Sequence, residues 1–144
     1  MDRTSGRREI SVGLIDGPVL LTHPDLSSEN IREVPAKLRG TCTRSDSIAC
    51  GTFVAGILSA RRGSTAPAIC PGCSLLLRPI FSEAVRQDNL APSASPQDLA
   101  EAIIDSVDAG ARIINLSSAL IEPSPEGDKK LEEVASAHNW NKMS

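Results

Sequence analysis

The stretch from Ser95 to Ser117 constrains this chain more than any other part of it. Ser95-Pro96-Gln97-Asp98 puts a capping hydroxyl ahead of a proline at the first helical position, a common way for an α-helix to begin. Leu99, Ile103 and Val107 then recur every fourth residue, so one helical face is apolar. Gly110 ends the period, and the apolar run Ala111-Arg112-Ile113-Ile114-Asn115-Leu116-Ser117 starts at once. A helix that passes through a tight glycine turn into a buried strand reads as part of a βαβ unit, which implies a parallel sheet.

Two further apolar runs supply strands for that sheet. Ile10-Ser11-Val12-Gly13-Leu14-Ile15 ends abruptly in the turn residues Asp16-Gly17-Pro18, which predicts a buried strand carrying a carboxylate to its carboxyl end. Ser74-Leu75-Leu76-Leu77-Arg78-Pro79-Ile80 predicts a second, stopping at or near Pro79. From Gly51, the residues Phe53, Val54, Ile57 and Leu58 alternate with small Ala55, Gly56 and Ala60, a pattern that predicts a tightly packed buried helix ending near Arg61-Arg62-Gly63. Thr22 to Ser47 is polar and broken by Pro24, Pro35 and Gly40, and reads as surface loop with a short helical turn near residues 24–32. Glu126 to Asn139 reads as a charged helix with Leu131, Val134 and His138 on one face and the rest solvated.

The expected architecture is α/β in three layers, a mainly parallel sheet of three or four strands flanked by helices. A polar leader covers residues 1–9, the domain 10–139 and a tail 140–144. The α/β alternation closes on a helix with no strand after it, whereas a right-handed crossover normally feeds the next parallel strand. The layout therefore reads as interrupted, with an open strand edge that favours association.

Composition narrows the function classes. With 144 residues the chain is long enough for one domain and one core. Phe53, Phe81 and Trp140 are the only aromatic residues, so that core must be built from Ile, Leu, Val and Ala. Fifteen basic and 18 acidic residues, a net charge of −3, form no basic stripe suited to a phosphate backbone, and nucleic acid is not expected as a partner. No run approaches the roughly 20 apolar residues of a membrane span, and Arg3, Arg7 and Arg8 precede only a short strand-like segment, so no export signal is read. The expectation is a cytoplasmic protein without membrane partners.

Cys42, Cys50, Cys70 and Cys73 are expected as reduced thiols, because the chain is neither a mini-protein nor visibly secreted. Cys70-Pro-Gly-Cys73 has redox or zinc spacing but lacks a second pair of matching spacing, so neither a metal nor another cofactor is expected.

Three segments in order are more specific than any one of them: Val12-Gly13-Leu14-Ile15-Asp16-Gly17 followed by His23-Pro24-Asp25-Leu26, then Cys50-Gly51-Thr52-Phe53-Val54-Ala55-Gly56-Ile57, then Ile113-Ile114-Asn115-Leu116-Ser117. Together they resemble the amino-terminal part of the subtilisin-like serine peptidases, from about Ile10 to His138. Asp16-Gly17-Pro18, and Pro71-Gly72-Cys73 leading into Ser74–Phe81, look most like the peptidases of cyanobactin maturation. The resemblance implies a partial subtilisin-like domain with Asp16 at the triad-acid position, where the family's Asp orients a His that activates a Ser. It also implies that Leu116, Ser117, Ser118 and Ala119 line substrate, pairing their strand with an extended peptide.

The same resemblance exposes two departures. The family's second motif begins with the catalytic His, and this chain has Cys50 there, with Phe53 at the motif's second His. His23 and His138 do not match the catalytic position. The family's Gly-Thr-Ser-Met-Ala segment and its oxyanion Asn have no counterpart in these 144 residues, and Gly63-Ser64-Thr65-Ala66 sits in the wrong place in the family order. Cys50 before a helix could be a thiolate favoured by the dipole, but the Asp16 carboxylate opposes a second negative charge, and a small buried apolar residue is the plainer reading. Asn115 reads as a structural amide. The expected function is that of a truncated subtilisin-like serine endopeptidase relative lacking the catalytic His and Ser, without independent peptidase activity. The alternative is a pseudopeptidase that binds an extended peptide or partner protein, self-associates, or pairs with a complementing fragment.

Overall fold

In the computed structural model, residues 5–26, 29–35, 45–81, 94–117 and 124–137 are described, with 45–50 described as backbone. Their order is β1 (Ser11–Asp16), β2 (Ile31–Glu33), α1 (Ser45–Ser59), β3 (Ser74–Pro79), α2 (Pro96–Asp108), β4 (Ile113–Leu116) and α3 (Pro125–Ala137). The four strands form one sheet in the order β2-β3-β1-β4, and every neighbouring pair is parallel. Ser11 pairs with Ser74 and Asp16 with Pro79 along β1 and β3, so both central strands end at the same level.

Alternation along the strands divides the core in two. Val12 and Leu14 of β1, with Leu75 and Leu77 of β3, face Ala55, Val54 and Leu58 of α1. Ile15 faces the other way, into Leu99, Ala100, Ala102 and Ile103 of α2 and Val134 of α3. The result is the three-layer α/β arrangement expected from the sequence, with α1 on one side and α2 and α3 on the other.

Gly13 sets how closely α2 approaches. A Cβ there would meet the Cβ of Ser106 at 3.3 Å, that of Ala111 at 3.2 Å and Ile114 Cδ1 at 3.2 Å. Ser106 is wholly buried at this contact and directs its hydroxyl into its own helix, donating to the Ala102 carbonyl at 2.7 Å, so burial strands no polar group.

Both ends of α2 are closed by local chemistry. At the start, Asp98 N–H donates to Ser95 Oγ at 3.1 Å and Ser95 N–H donates to the Asp98 carboxylate at 2.9 Å, a reciprocal capping box. At the end, Gly110 adopts φ +94°, while Gly110 N–H bonds the Val107 carbonyl and Ala111 N–H the Ser106 carbonyl. That pairing uses the last helical carbonyls and turns the chain into β4. Arg32 of β2 adds a guanidinium hydrogen bond to the Ala109 carbonyl at 2.7 Å, a cation at the negative end of the helix.

Four expectations need correction. The polar segment has a turn at its start, where Leu26 N–H bonds the His23 carbonyl, but it also contains the unexpected strand β2: only Ile31 of Ile31-Arg32-Glu33 is buried, too short a signal to show alternation. Helix α1 begins six residues before Gly51 and is not buried all round, since Phe53 is 70% exposed and Ile57, one turn on, 43%. The third core strand is shorter than the apolar run, and Ile113 and Leu116 are exposed because β4 forms the edge of the sheet. Helix α3 packs Leu131 and Val134 against α2 as its apolar face predicts, but its start is also covered, with Gly127 lying against Pro96. His138 lies outside the described residues.

Candidate functional site

Asp16 is the last residue of β1, and the alternation that sends Leu14 toward α1 sends Asp16 there too. It is 5% exposed and its Oδ1 accepts the Gly17 N–H at 2.6 Å, which folds the chain sharply away from the strand end. The Asp16 carbonyl accepts from Ile80 N–H at 3.1 Å, tying the turn to the end of β3.

The next element to meet this turn is α1. A Cβ on Gly51 would overlap the carbonyl oxygens of Gly17 and Pro18, so only a glycine allows the helix to rest directly on that backbone. Thr52 Oγ1 accepts from Leu20 N–H at 2.8 Å and pins the loop one residue further along the helix. Residue 50, immediately before Gly51, is thereby held beside the turn that begins at Asp16. Cys50 is described by its backbone alone, within α1.

The proposed peptide-lining strand lies on the other side of β1. Val12 pairs with Ile113 and Ile15 with Leu116. Arg112 N–H bonds the Ser11 carbonyl at 2.9 Å, and alternation then turns the amides of Ile113, Asn115 and Ser117 outward from the sheet. Leu116 and Ser117 are exposed, and Asn115 Nδ2 donates to Ser117 Oγ at 3.0 Å, a local structural amide as its sequence context suggested. Ser118 and Ala119 lie outside the described residues.

The backbone at residue 50 therefore lies next to the turn after Asp16 at the carboxyl end of the sheet, and among the described residues β4 pairs with β1 alone. His23 is placed elsewhere: its Nδ1 accepts Asp25 N–H at 3.2 Å, stabilising the loop whose Asp25 carbonyl takes Arg61 N–H beyond the end of α1. Ser64 sits in the turn after α1, its amide bonded to the Arg61 carbonyl. Sequence reasoning missed the part played by Gly51 and Thr52. Their signal was present as a glycine and a hydroxyl ahead of the apolar helix face, but nothing in local sequence says what they touch.

Parallel strands in this order, with α1 set on the turn after β1, are the arrangement of a subtilisin-like protease domain, and solved structures bear this out. A mutant of the protease domain of PatA superposes with a TM-score of 0.81 at 34% identity, over 96% of this chain and 49% of that one. The prenylagaramide maturation protease PagA gives 0.71 at 29% identity, over 94% of this chain and 44% of that one. The nisin leader peptidase NisP from Lactococcus lactis shares the fold, with a TM-score of 0.63 at 20% identity, over 92% of this chain and 41% of that one. No family model and no curated protein sequence matches. The chain has a subtilisin-like protease fold. Within that fold it is similar in sequence to the cyanobactin maturation proteases PatA and PagA, and it spans about half the length of the structures it matches. No described helix is long and apolar enough to cross a membrane.

Proposed function

We propose that this chain is a subtilisin-type peptidase relative whose acid–base apparatus is incomplete, so that alone it does not hydrolyse peptide bonds. The observation that carries this reading is the seating of Gly51 on Gly17 and Pro18. That contact supports a seat for residue 50 close to the end of β1, where this reading puts the acid–base pair, and residue 50 is Cys and not His. A carboxylate orients and stabilises an imidazole that takes a proton from a hydroxyl. A thiol at that position does not supply the imidazole, and a carboxylate in the same site opposes its ionisation. Asp16 is the retained triad acid in this reading, and Cys50 the substituted base. The serine nucleophile of the family has no matching motif in these residues.

The test is direct. Purified chain is incubated with a fluorophosphonate probe and with internally quenched peptides, alongside Asp16→Ala. The expected result is no labelling and no difference between the two proteins. Saturable hydrolysis that disappears in Asp16→Ala sinks the proposal.

The outer edge of β4, which pairs with β1 alone among the described residues, favours a second reading, that the chain binds an extended peptide or partner polypeptide without cutting it. Outward amides at Ile113, Asn115 and Ser117 beside exposed Leu116 are what strand addition uses. A structure of the PatG macrocyclase in complex with peptide shares this fold. A peptide that binds at micromolar concentration and is recovered intact would support this reading over simple loss of function.

A further inference from the structure

Two thiols play no part in the site above. Cys70 is half-buried and Cys73 buried, and both are free. They bracket Pro71-Gly72 in a tight turn closed by a hydrogen bond from Cys73 N–H to the Cys70 carbonyl at 3.0 Å. Such a turn keeps its terminal Cα atoms within about 7 Å, and disulfides span Cα separations of about 4.4–6.8 Å. The two thiols are electrostatic neighbours, and charge on Cys73 opposes charge on Cys70.

The surroundings hold this turn from several directions. Gly72 N–H donates to the Ser5 carbonyl at 2.6 Å and Ser74 N–H to the Ile10 carbonyl at 3.0 Å. Cys70 reaches the Leu58 carbonyl twice, through its amide at 3.1 Å and its thiol at 3.3 Å. A Cβ on Gly6 would overlap Cys73 Sγ, so the leader segment lies directly on the buried sulfur. Among the described residues no group of three His, Cys, Asp or Glu side chains surrounds the pair, so the geometry suits thiol chemistry better than a metal cage.

We propose that Cys70 and Cys73 form a redox-active dithiol that closes to a disulfide when it meets a small-molecule disulfide, Cys70 reacting first and Cys73 resolving. The Cys70 thiolate attacks one sulfur of the oxidant, forming a mixed disulfide and expelling one thiolate. The Cys73 thiolate then attacks Cys70 Sγ, forming the intramolecular bond and expelling the second. Two protons leave the protein thiols, and two electrons end on the oxidant, which departs as two thiols. Burial and the neighbouring Cys73 push the Cys70 thiol up to about 11. The reactive thiolate is therefore scarce at neutral pH, and closure accelerates as pH rises. Closure draws the two sulfurs to about 2.05 Å and so shifts the sulfur beneath Gly6, which makes the leader segment the element that registers the change.

The test uses the whole chain in glutathione buffers graded from fully reduced to fully oxidised, followed by acid quench, alkylation and tryptic mass spectrometry. Residues 63–86 form one peptide holding both cysteines, because trypsin does not cut before Pro79. Over part of the range this peptide should lose two hydrogens and carry no alkyl group. Cys73→Ser should stop at a glutathione adduct on Cys70, and Cys70→Ser should leave Cys73 unmodified. The initial rate should rise about tenfold per pH unit between pH 7 and 9. The proposal is overturned if both thiols of the unsubstituted chain alkylate throughout, if they pair with Cys42 or Cys50 instead, or if the rate is flat with pH.

Discussion

The α-carbon of Gly51 rests on the peptide carbonyl of Gly17, one residue past Cys50 on the helix and one past Asp16 on the strand. Backbone meets backbone here, with no side chain able to give way. Gly51→Ala is therefore expected to destabilise the fold by about 2–3 kcal/mol. Gly56 on the same helix has nothing within 4 Å of an added Cβ, so Gly56→Ala should stabilise by up to about 1 kcal/mol. Urea unfolding of both variants checks the pair, and equal effects would mean the contact at Gly17 is not what holds the turn.

Arg78 carries a charge into the interior, 5% exposed, and its Nε donates to Asp105 Oδ2 at 2.9 Å while Nη1 donates to the Pro79 carbonyl at 2.8 Å. Asp105→Ala removes the carboxylate hydrogen-bonded to that guanidinium and is expected to cost about 2 kcal/mol. Combining it with Arg78→Met should recover most of the loss, because two apolar groups need no partner. Chemical denaturation of the parent, the two single variants and the double variant reads the cycle.

Asp98 should make the start of α2 pH-sensitive. Hydrogen bonds from the Ser95 hydroxyl at 2.7 Å and the Ser95 amide at 2.9 Å hold its carboxyl below the ordinary aspartate value. A depressed folded-state pKa gives stability that is fully present above the unfolded pKa and is lost as pH falls through the folded one. The contribution is thus intact at neutral pH and fades below about pH 4. Asp98→Ala should cost about 1 kcal/mol at pH 7 and clearly less at pH 2, as thermal unfolding at the two pH values would show.

The open edge of β4 gives a prediction for peptide binding. Asn115→Pro removes one outward amide without touching the bonds to β1. Binding of an extended peptide should then fall at least tenfold with little change in unfolding midpoint, whereas Asn115→Ala should bind as the parent does. Fluorescence anisotropy with a labelled peptide distinguishes the two, and equal loss in both would point away from the strand edge.

Much of this architecture could be read from residue order because its signals are local. Ser95 and Pro96 begin α2, Gly110 ends it, and Asp16 closes a strand, each through chemistry confined to a few neighbours. Strand β2 was not legible, since Ile31 is its single buried residue and its place beside β3 depends on a distant partner. Phe53 and Ile57 read as core because apolar side chains in a row usually are, yet among the described residues nothing covers their side of α1. Asp16 and Cys50 could be singled out by motif, but their nearness rests on Gly51 meeting Gly17, a contact between segments more than thirty positions apart. The Cys70 and Cys73 pair was visible as a spacing, while its grip on Leu58, Ser5 and Gly6 required coordinates.

The two flanks of the sheet are unlike. The β2 side is three residues long, its two outer positions are the charged Arg32 and Glu33, and Arg32 is tied to α2. Short, ionic borders of that kind repel lateral growth. Self-pairing is left with the β4 side, where two molecules meeting about a twofold axis would use up each other's available margin. Within the described residues, such pairing would be complete at two chains.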